Sequence, residues 1–242
     1  MNEQRVAIVT GSSSGIGEAT ARRLTAEGFV VVVNSATSVA AGEALAADLV
    51  GASYVQADIA NPQDAQRLID TTVARYGRLD VLVNNAGTTV EIPHGELTSA
   101  TADIWTNILS VNVIGTWQVT VAAISAMTHG GHVINISSVA GSRPVGSSIP
   151  YAVSKAALNH MTRLLANVVG PSIQVNAIAP GLIATPWTDT ESFAEVASAI
   201  RGAAPLRRVG QPEEIAAAIL GVLNSPYMTG EVLHVDGGVH LM

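Results

Sequence analysis

The 242-residue sequence contains no cysteine, which excludes disulfide bridges, thiolate catalysis and cysteine-ligated metal. Charge is scarce and unbalanced: 12 Lys+Arg against 19 Asp+Glu leave a net charge of −7. A chain of that sign without a basic patch is poorly suited to hold nucleic acid or an anionic lipid surface, so neither is an expected partner. No signal peptide is read ahead of the strand-like run in "MNEQRVAIVTG". No membrane span is expected, no uncharged apolar run being read as long as the ~18 residues one needs. The expectation from these absences is a globular, cytoplasmic protein. His94, His129, His132, His160, His234 and His240 show neither H-x-x-x-H nor H-E-x-x-H spacing, so no catalytic metal is expected. A Pro/Ser-rich linker, a low-complexity tract and a short repeat are missing too, which favours one domain over residues 1–242.

What the chain does have is a series of apolar, β-branched runs, at 5–10, 29–34, 53–58, 79–85, 132–137, 173–179 and 232–236. Continuous apolarity, rather than alternation, suits strands buried on both faces of a parallel sheet. Amphipathic helical stretches fall between them near 16–27, 38–50, 62–75, 98–127, 151–168 and 212–224. Asn61-Pro62 and Gln211-Pro212 carry helix-start signals. This alternation predicts an α/β fold, a doubly wound parallel sheet of about seven strands with helices on both faces. Residues 182–210 break the rhythm, with prolines at 186 and 205 and weak helical periodicity. Because they follow a strand's carboxyl end, where such sheets bind ligands, they are read as a substrate lid.

Gly11, Gly15 and Gly17 sit between the first strand and the first helix in "VTGSSSGIGEAT". Glycine permits the tight turn and lets a pyrophosphate approach backbone N–H groups at the positive end of a helix. Ser13, Ser14 and Ile16 share that loop. At the end of the second strand stand Asn34, Ser35, Thr37 and Ser38, with no carboxylate among them. A carboxylate there would bind the adenosine ribose of NAD and repel a 2′-phosphate. Its absence, with hydroxyl donors in its place, favours NADP(H) over NAD(H), although no Arg or Lys follows nearby.

Further along come "NNAG" (84–87), Asn112, "ISS" ending at Ser138, "YAVSK" (151–155) and "APG" (179–181). With the glycine loop, these motifs in this order make the chain resemble the short-chain dehydrogenase/reductase family over essentially its whole length. Within the family it looks most like the 3-oxoacyl-(acyl-carrier-protein) reductase type. The resemblance implies a Rossmann-like domain, a nicotinamide cofactor and a catalytic tetrad of Asn112, Ser138, Tyr151 and Lys155. Tyr151 would be the general acid/base. A free phenol has a pKa of about 10, and Lys155, one helical turn away on the same face, is expected to draw it down. Lys155 would also hold the nicotinamide ribose, Ser138 polarise the substrate carbonyl, and Asn112 order a water in a proton relay. Ser137 is the competing serine, facing the opposite way along the strand.

The resemblance further implies cofactor contacts from Asp58 and Ile59 at the adenine, from Asn85, Ala86 and Gly87 after strand four, and from Pro180, Gly181, Ile183 and Thr185 after strand six. The implied reaction is reduction of a small, largely apolar ketone to a secondary alcohol, or the reverse. A substrate pocket is expected from Thr88, Val139, Val145, Ile149, Leu182 and Trp187, with packing or an interface as the other reading of Trp187. Two alternatives stand beside this: fatty-acid 3-oxoacyl-(acyl-carrier-protein) reduction, and a non-catalytic dinucleotide-sensing module. Acyl carrier protein is not favoured as a partner, since "MTHGGH" (127–132) and "VVGPSIQ" (168–174) carry no formal positive charge to receive an acidic carrier. Helices 98–127 and 151–168 bear more apolar surface than one sheet face needs, and the resemblance implies a homotetramer, with a homodimer second.

Overall fold

The structure is a computed structural model, and it describes residues 4–189 and 191–242. Its strands are β1 (Val6–Val9), β2 (Val30–Ser35), β3 (Ser53–Gln56), β4 (Val81–Asn84), β5 (Gly131–Ile136), β6 (Ile173–Pro180) and β7 (Val232–Val235). The helices are α1 (Gly15–Ala26), α2 (Val39–Asp48), α3 (Pro62–Tyr76), α4 (Ala102–Leu109), α5 (Thr116–Ala126), α6 (Ile149–Val169), α7 (Glu191–Ala203) and α8 (Pro212–Leu223). The sheet is seven-stranded, in the order β3-β2-β1-β4-β5-β6-β7, and every pairing is parallel. This is the doubly wound, Rossmann-like architecture that the alternating pattern predicts.

Alternation within each strand builds the two cores. Ala7, Val9, Val31, Val33, Ile134 and Ile178 turn toward Leu24 of α1, Leu45 of α2 and Ile215 of α8. Ile8, Val32, Leu82, Val133 and Val175 turn toward Leu68 of α3, Val119 of α5 and Leu165 of α6. Every strand residue among these is apolar because both faces of the sheet are covered. Strand order reverses between β1 and β4, and a crevice opens beyond the carboxyl ends at such a point. Helix starts follow the sequence signals: Asn61 Oδ1 accepts from the N–H groups of Gln63 (2.9 Å) and Asp64 (3.2 Å), and Gln211 forms a capping box with Glu214.

Three expectations need correction. The stretch read as one helix over 98–127 is two, α4 and α5, joined by a π-helical turn at Ser110–Gly115. A side chain at Gly115 would come within 2.9 Å of the Ile59 carbonyl oxygen, so the helix passes the loop after β3 at backbone distance. Residues 191–203, of weak apparent periodicity, form α7. Its inward face uses Ala197 and Ile200, and an alanine contributes little to a periodic signal. Finally, Ala102–Ala126 is long and apolar enough to cross a membrane by length and composition, against the reading that no run was. Here Ile108, Val119 and Ala123 are fully buried in the fold.

A line of buried polar groups ties the sheet to one helical layer. Asn84 Nδ2 donates to Thr120 Oγ1 (2.8 Å) and to Asn135 Oδ1 (2.9 Å), and Asn135 Nδ2 donates to Thr162 Oγ1 (2.9 Å). Asn135 is fully buried, so an apolar replacement strips a partner from two enclosed groups. The Asn135→Leu substitution is expected to cost about 1–3 kcal/mol, lowering Tm by roughly 2–10 °C in a chain of this size. Thermal denaturation checks this, and an unchanged Tm would count against it.

Candidate active site

The first turn after β1 is shaped by what touches it. Gly11 and Gly15 have φ of 61° and 58°, a left-handed backbone that favours glycine. A side chain at Gly11 would lie 2.8 Å from Ala86 Cα, one at Gly15 3.2 Å from Thr185 Cγ2, and one at Gly17 2.6 Å from Asn85 Nδ2. The loop is therefore closed in by the segment after β4 and by Thr185. Thr10 Oγ1 accepts from the N–H groups of Asn85 and Ala86, both at 3.0 Å, while Asn85 Nδ2 donates to the carbonyls of Thr10 and Gly11. Ser14 precedes α1 without a side-chain bond to its first turn. Donors at a helix start, reached through glycines, form a cradle that fits the pyrophosphate of a dinucleotide. Ser13 and Ile16 lie partly buried beside it.

The end of β2 departs from its sequence reading. Asn34 is turned inward: its Oδ1 accepts from the Gly11 N–H and its Nδ2 donates to the carbonyls of Val55 and Ala57. Ser35 is buried, and its hydroxyl bonds the Tyr54 hydroxyl at 2.9 Å. Thr37 and Ser38 are exposed. After β3, Asp58 is exposed with Oδ1 accepting from the Ala60 N–H, whereas Ile59 is buried.

The four residues of the implied tetrad come from three elements. Asn112 rides the π turn, and its Oδ1 accepts from the Thr88 N–H (2.8 Å). Its Nδ2 donates to Thr88 O and Ser154 Oγ, both at 3.0 Å. Both amide hydrogens are thus spent on protein, and Asn112 clasps the β4 loop to α6. Ser138 follows β5, where Oγ accepts from the Ala140 N–H (3.1 Å) and lies close enough to the Tyr151 phenol to favour its ionised form. Ser137 points the other way, donating to Asn159 Oδ1 (2.5 Å) and to the Lys155 carbonyl. Lys155 is 4% exposed, and its Nζ donates to the Ile136 carbonyl at 2.8 Å.

Burial governs the protonation of both titrating groups. It pushes the Lys155 ammonium down to about 8. It raises Tyr151 above the ordinary phenol range, opposed by the nearby Ser138 hydroxyl. The expected lowering of Tyr151 by Lys155 is absent here. The ammonium is anchored on Ile136 O, 5.6 Å from the phenol ring centre, and desolvation disfavours the phenolate.

Around this centre, a side chain at Gly87 would lie 3.3 Å from Asn112 Oδ1, 3.7 Å from Lys155 Nζ and 3.8 Å from Trp187 Cη2. Trp187 meets Tyr151 edge-on at 6.3 Å between ring centres. The walls expected to line the pocket are stitched together: Thr89 Oγ1 bonds Ser147 Oγ (2.5 Å), and the Ile92 N–H donates to Ser147 O (2.8 Å). Thr88 is held by Asn112, Val139 is buried beside Ser138, Ile149 is partly buried in the first turn of α6, and Val145 is exposed. Leu182 instead lines a small cavity of about 90 Å³ with Leu206, Arg208 and Val235, which no tetrad residue borders. Pro180 ends β6, Gly181 donates its N–H to Val235 O, and Ile183 is buried. Sequence reasoning missed Thr10, Ser154, the Ile136 carbonyl and Gly146, whose added side chain would lie 3.6 Å from Tyr151 Cδ1. Thr10, Ile136 and Ser154 lie inside the quoted motifs "VTGSSSGIGEAT", "ISS" and "YAVSK"; Gly146 carried no signal. Among the described residues no three metal-binding side chains converge.

A glycine cradle at the switch point of a parallel sheet, with a buried lysine and a phenol beside Ser138, defines an NAD(P)-dependent oxidoreductase. A family model described as enoyl-(acyl carrier protein) reductase matches residues 11–240. The chain is 58% identical, over 99% of its length and 98% of the relative's, to a Streptomyces violaceoruber protein named as a ketoacyl reductase ("ketoacyl reductase 2") of the granaticin polyketide synthase. It is 38% identical to a Synechocystis protein named 3-oxoacyl-(acyl-carrier-protein) reductase, over 97% of this chain and 96% of that one. A solved short-chain dehydrogenase/reductase from Brucella melitensis, titled glucose/ribitol dehydrogenase, superposes with a TM-score of 0.92 at 29% identity, over 98% of this chain and 96% of that one. The chain belongs to the short-chain dehydrogenase/reductase family.

The buried lysine gives a stability test. Its pKa is 10.5 when exposed and about 8 in the fold, so between those values the unfolded chain binds more protons and stability rises with pH. Below the folded value both states are protonated and the burial cost is present in full. The Tm of wild type relative to Lys155→Met should therefore shift in favour of wild type as pH rises from about 8 to 10.5. A difference independent of pH would contradict the assignment.

Proposed function

We propose that the protein reduces the carbonyl of a small, uncharged, largely apolar ketone to a secondary alcohol, or runs the reverse, with NADP(H) and with Tyr151 as general acid/base. The observation that carries this reading is the Tyr151 phenol placed beside Ser138, with the buried Lys155 one helical turn along α6. Two hydroxyl groups held together can both donate to one oxygen, which suits a carbonyl on its way to an alkoxide. When bound, the cofactor supplies the hydride. The backbone of Gly11–Gly17 would hold its pyrophosphate, with Asn85–Gly87, Pro180–Thr185 and Lys155 on the nicotinamide side. Ser138 orients the carbonyl oxygen, and Tyr151 Oη gives it a proton. Tyr151 then regains its proton from solvent, and Lys155 would hold the nicotinamide ribose. A phenol that burial keeps protonated serves the reductive direction at neutral pH. Asn112 acts as a positioning residue that fixes Thr88 and α6.

NADP(H) is favoured because residues 34–38 hold no carboxylate and Thr37 and Ser38 expose hydroxyls that can donate to a 2′-phosphate; the Ser35 hydroxyl is engaged with Tyr54 instead. The ketoacyl-reductase names of the two relatives support a ketone substrate, and residues 182–210 fit a lid because Trp187 reaches Tyr151 from that segment. Exposed Ile114, Trp117 and Val121, with Val153, Leu164 and Val168 on α6, make apolar stripes at helical spacing. They support a homodimer or homotetramer. The intact tetrad weighs against a purely sensory module.

In a screen of ketones and alcohols with both cofactors, Tyr151→Phe is expected to lower kcat by roughly 10²–10⁴-fold while NADPH binding stays measurable by fluorescence. Turnover close to wild type would refute Tyr151 as the acid. Ala36→Asp, which places a carboxylate beside the exposed hydroxyls, should move the NADPH/NADH ratio of kcat/KM toward NADH by roughly 10–100-fold. No change would mean that the 2′-phosphate lies elsewhere.

A further inference from the structure

Trp187 is held in place by bonds that leave its indole free of the task. It sits second in the short turn Pro186–Thr188. The Thr188 hydroxyl donates to Ile183 O (2.6 Å) and accepts from the Thr185 N–H (3.1 Å). Pro186 adds a fixed φ, and Ile183 roots the segment in the core. The turn is braced by these bonds, and from it the indole reaches Tyr151.

The indole is 45% exposed, unusual for the largest apolar side chain, which is highly buried on average when its role is packing. Its inner end reaches the chemistry. Cη2 and Lys155 Nζ both lie within 3.8 Å of where a side chain on Gly87 would be, and the ring stands at 79° to the Tyr151 ring. The outer part remains open to solvent. The cations near this wall are engaged elsewhere: the Arg143 guanidinium donates to backbone oxygens of Val239 and Met242, and Lys155 donates to Ile136 O. What the wall offers a ligand next to the proton donor is a fixed π surface.

We infer that Trp187 is a specificity-determining residue that packs against an aromatic ring of the substrate, so that the substrate class is a ketone fused to or borne on an aromatic ring. This rests on the ketone-reductase reading of the same crevice. An aromatic pair in offset or edge-on contact favours the aromatic ligand over its saturated counterpart by about two- to twelvefold.

The test compares 2-tetralone with 2-decalone, which share a carbon skeleton, in NADPH-dependent turnover. In parallel, calorimetry on the NADP-loaded enzyme compares binding of 2-naphthol with decahydro-2-naphthol. Wild type, Trp187→Phe and Trp187→Leu are measured, each first shown to bind NADPH. Wild type should favour the aromatic member in KM and in Kd by about two- to twelvefold. Trp187→Phe should keep most of that preference, and Trp187→Leu, apolar but without a ring, should bring both ratios near one. Equal ratios in the Phe and Leu variants, or no preference in wild type, would overturn the inference. Should wild type turn over neither ketone yet prefer 2-naphthol, with the preference lost only in Trp187→Leu, the reductase reading falls and the aromatic wall stands.

Discussion

An ammonium removed from water has to be bonded or neutralised, and Lys155 answers that demand with one carbonyl, that of Ile136 at the end of β5. Much of the site's geometry follows from this bond. It sets the first turns of α6 against the strand end, and the seam is close: a side chain on Gly141 would fall 2.7 Å from the Lys155 carbonyl carbon. Ser137 closes it from the strand side by donating to Lys155 O. With α6 placed in this way, Tyr151 stands beside Ser138, and Ser154 is in position to hold Asn112.

The second constraint is mutual support among loops that would otherwise be free. The glycine turn, the β4 loop and Thr185 approach so closely that side chains at Gly11, Gly15 or Gly17 would collide with their neighbours. Asn112 fastens Thr88, and Ser147 fastens Thr89 and Ile92. Loops positioned by a rigid sheet are where an α/β protein keeps its chemistry. Here the polar side chains of those loops mainly hold one another.

This division of labour explains where residue type misleads. Ser35 reads as a surface donor at a strand end, yet its hydroxyl is drawn inward to Tyr54, and its neighbour Asn34 is held by Val55 and Ala57. Asn112 reads as a water-ordering amide, and both its hydrogens are taken by the protein. The Tyr151 and Lys155 pair reads as a cation tuning a phenol. In the fold, burial acts on each of them more strongly than either acts on the other.

Local order was written plainly in the chain. The β-branched runs, the helix starts at Asn61-Pro62 and Gln211-Pro212 and the glycine spacing are short-range signals, each decided by backbone preference or by which faces must be apolar. They determined the strands, most of the helices and the family. The π turn at Asn112, the helix at 191–203 and the inward turn of Ser35 were decided by contacts between residues far apart in sequence: Gly115 with Ile59, the alanine face of α7 with the core, Ser35 with Tyr54. The same holds for the protonation of Tyr151 and Lys155, because desolvation is a property of everything packed around a group and no motif encodes it.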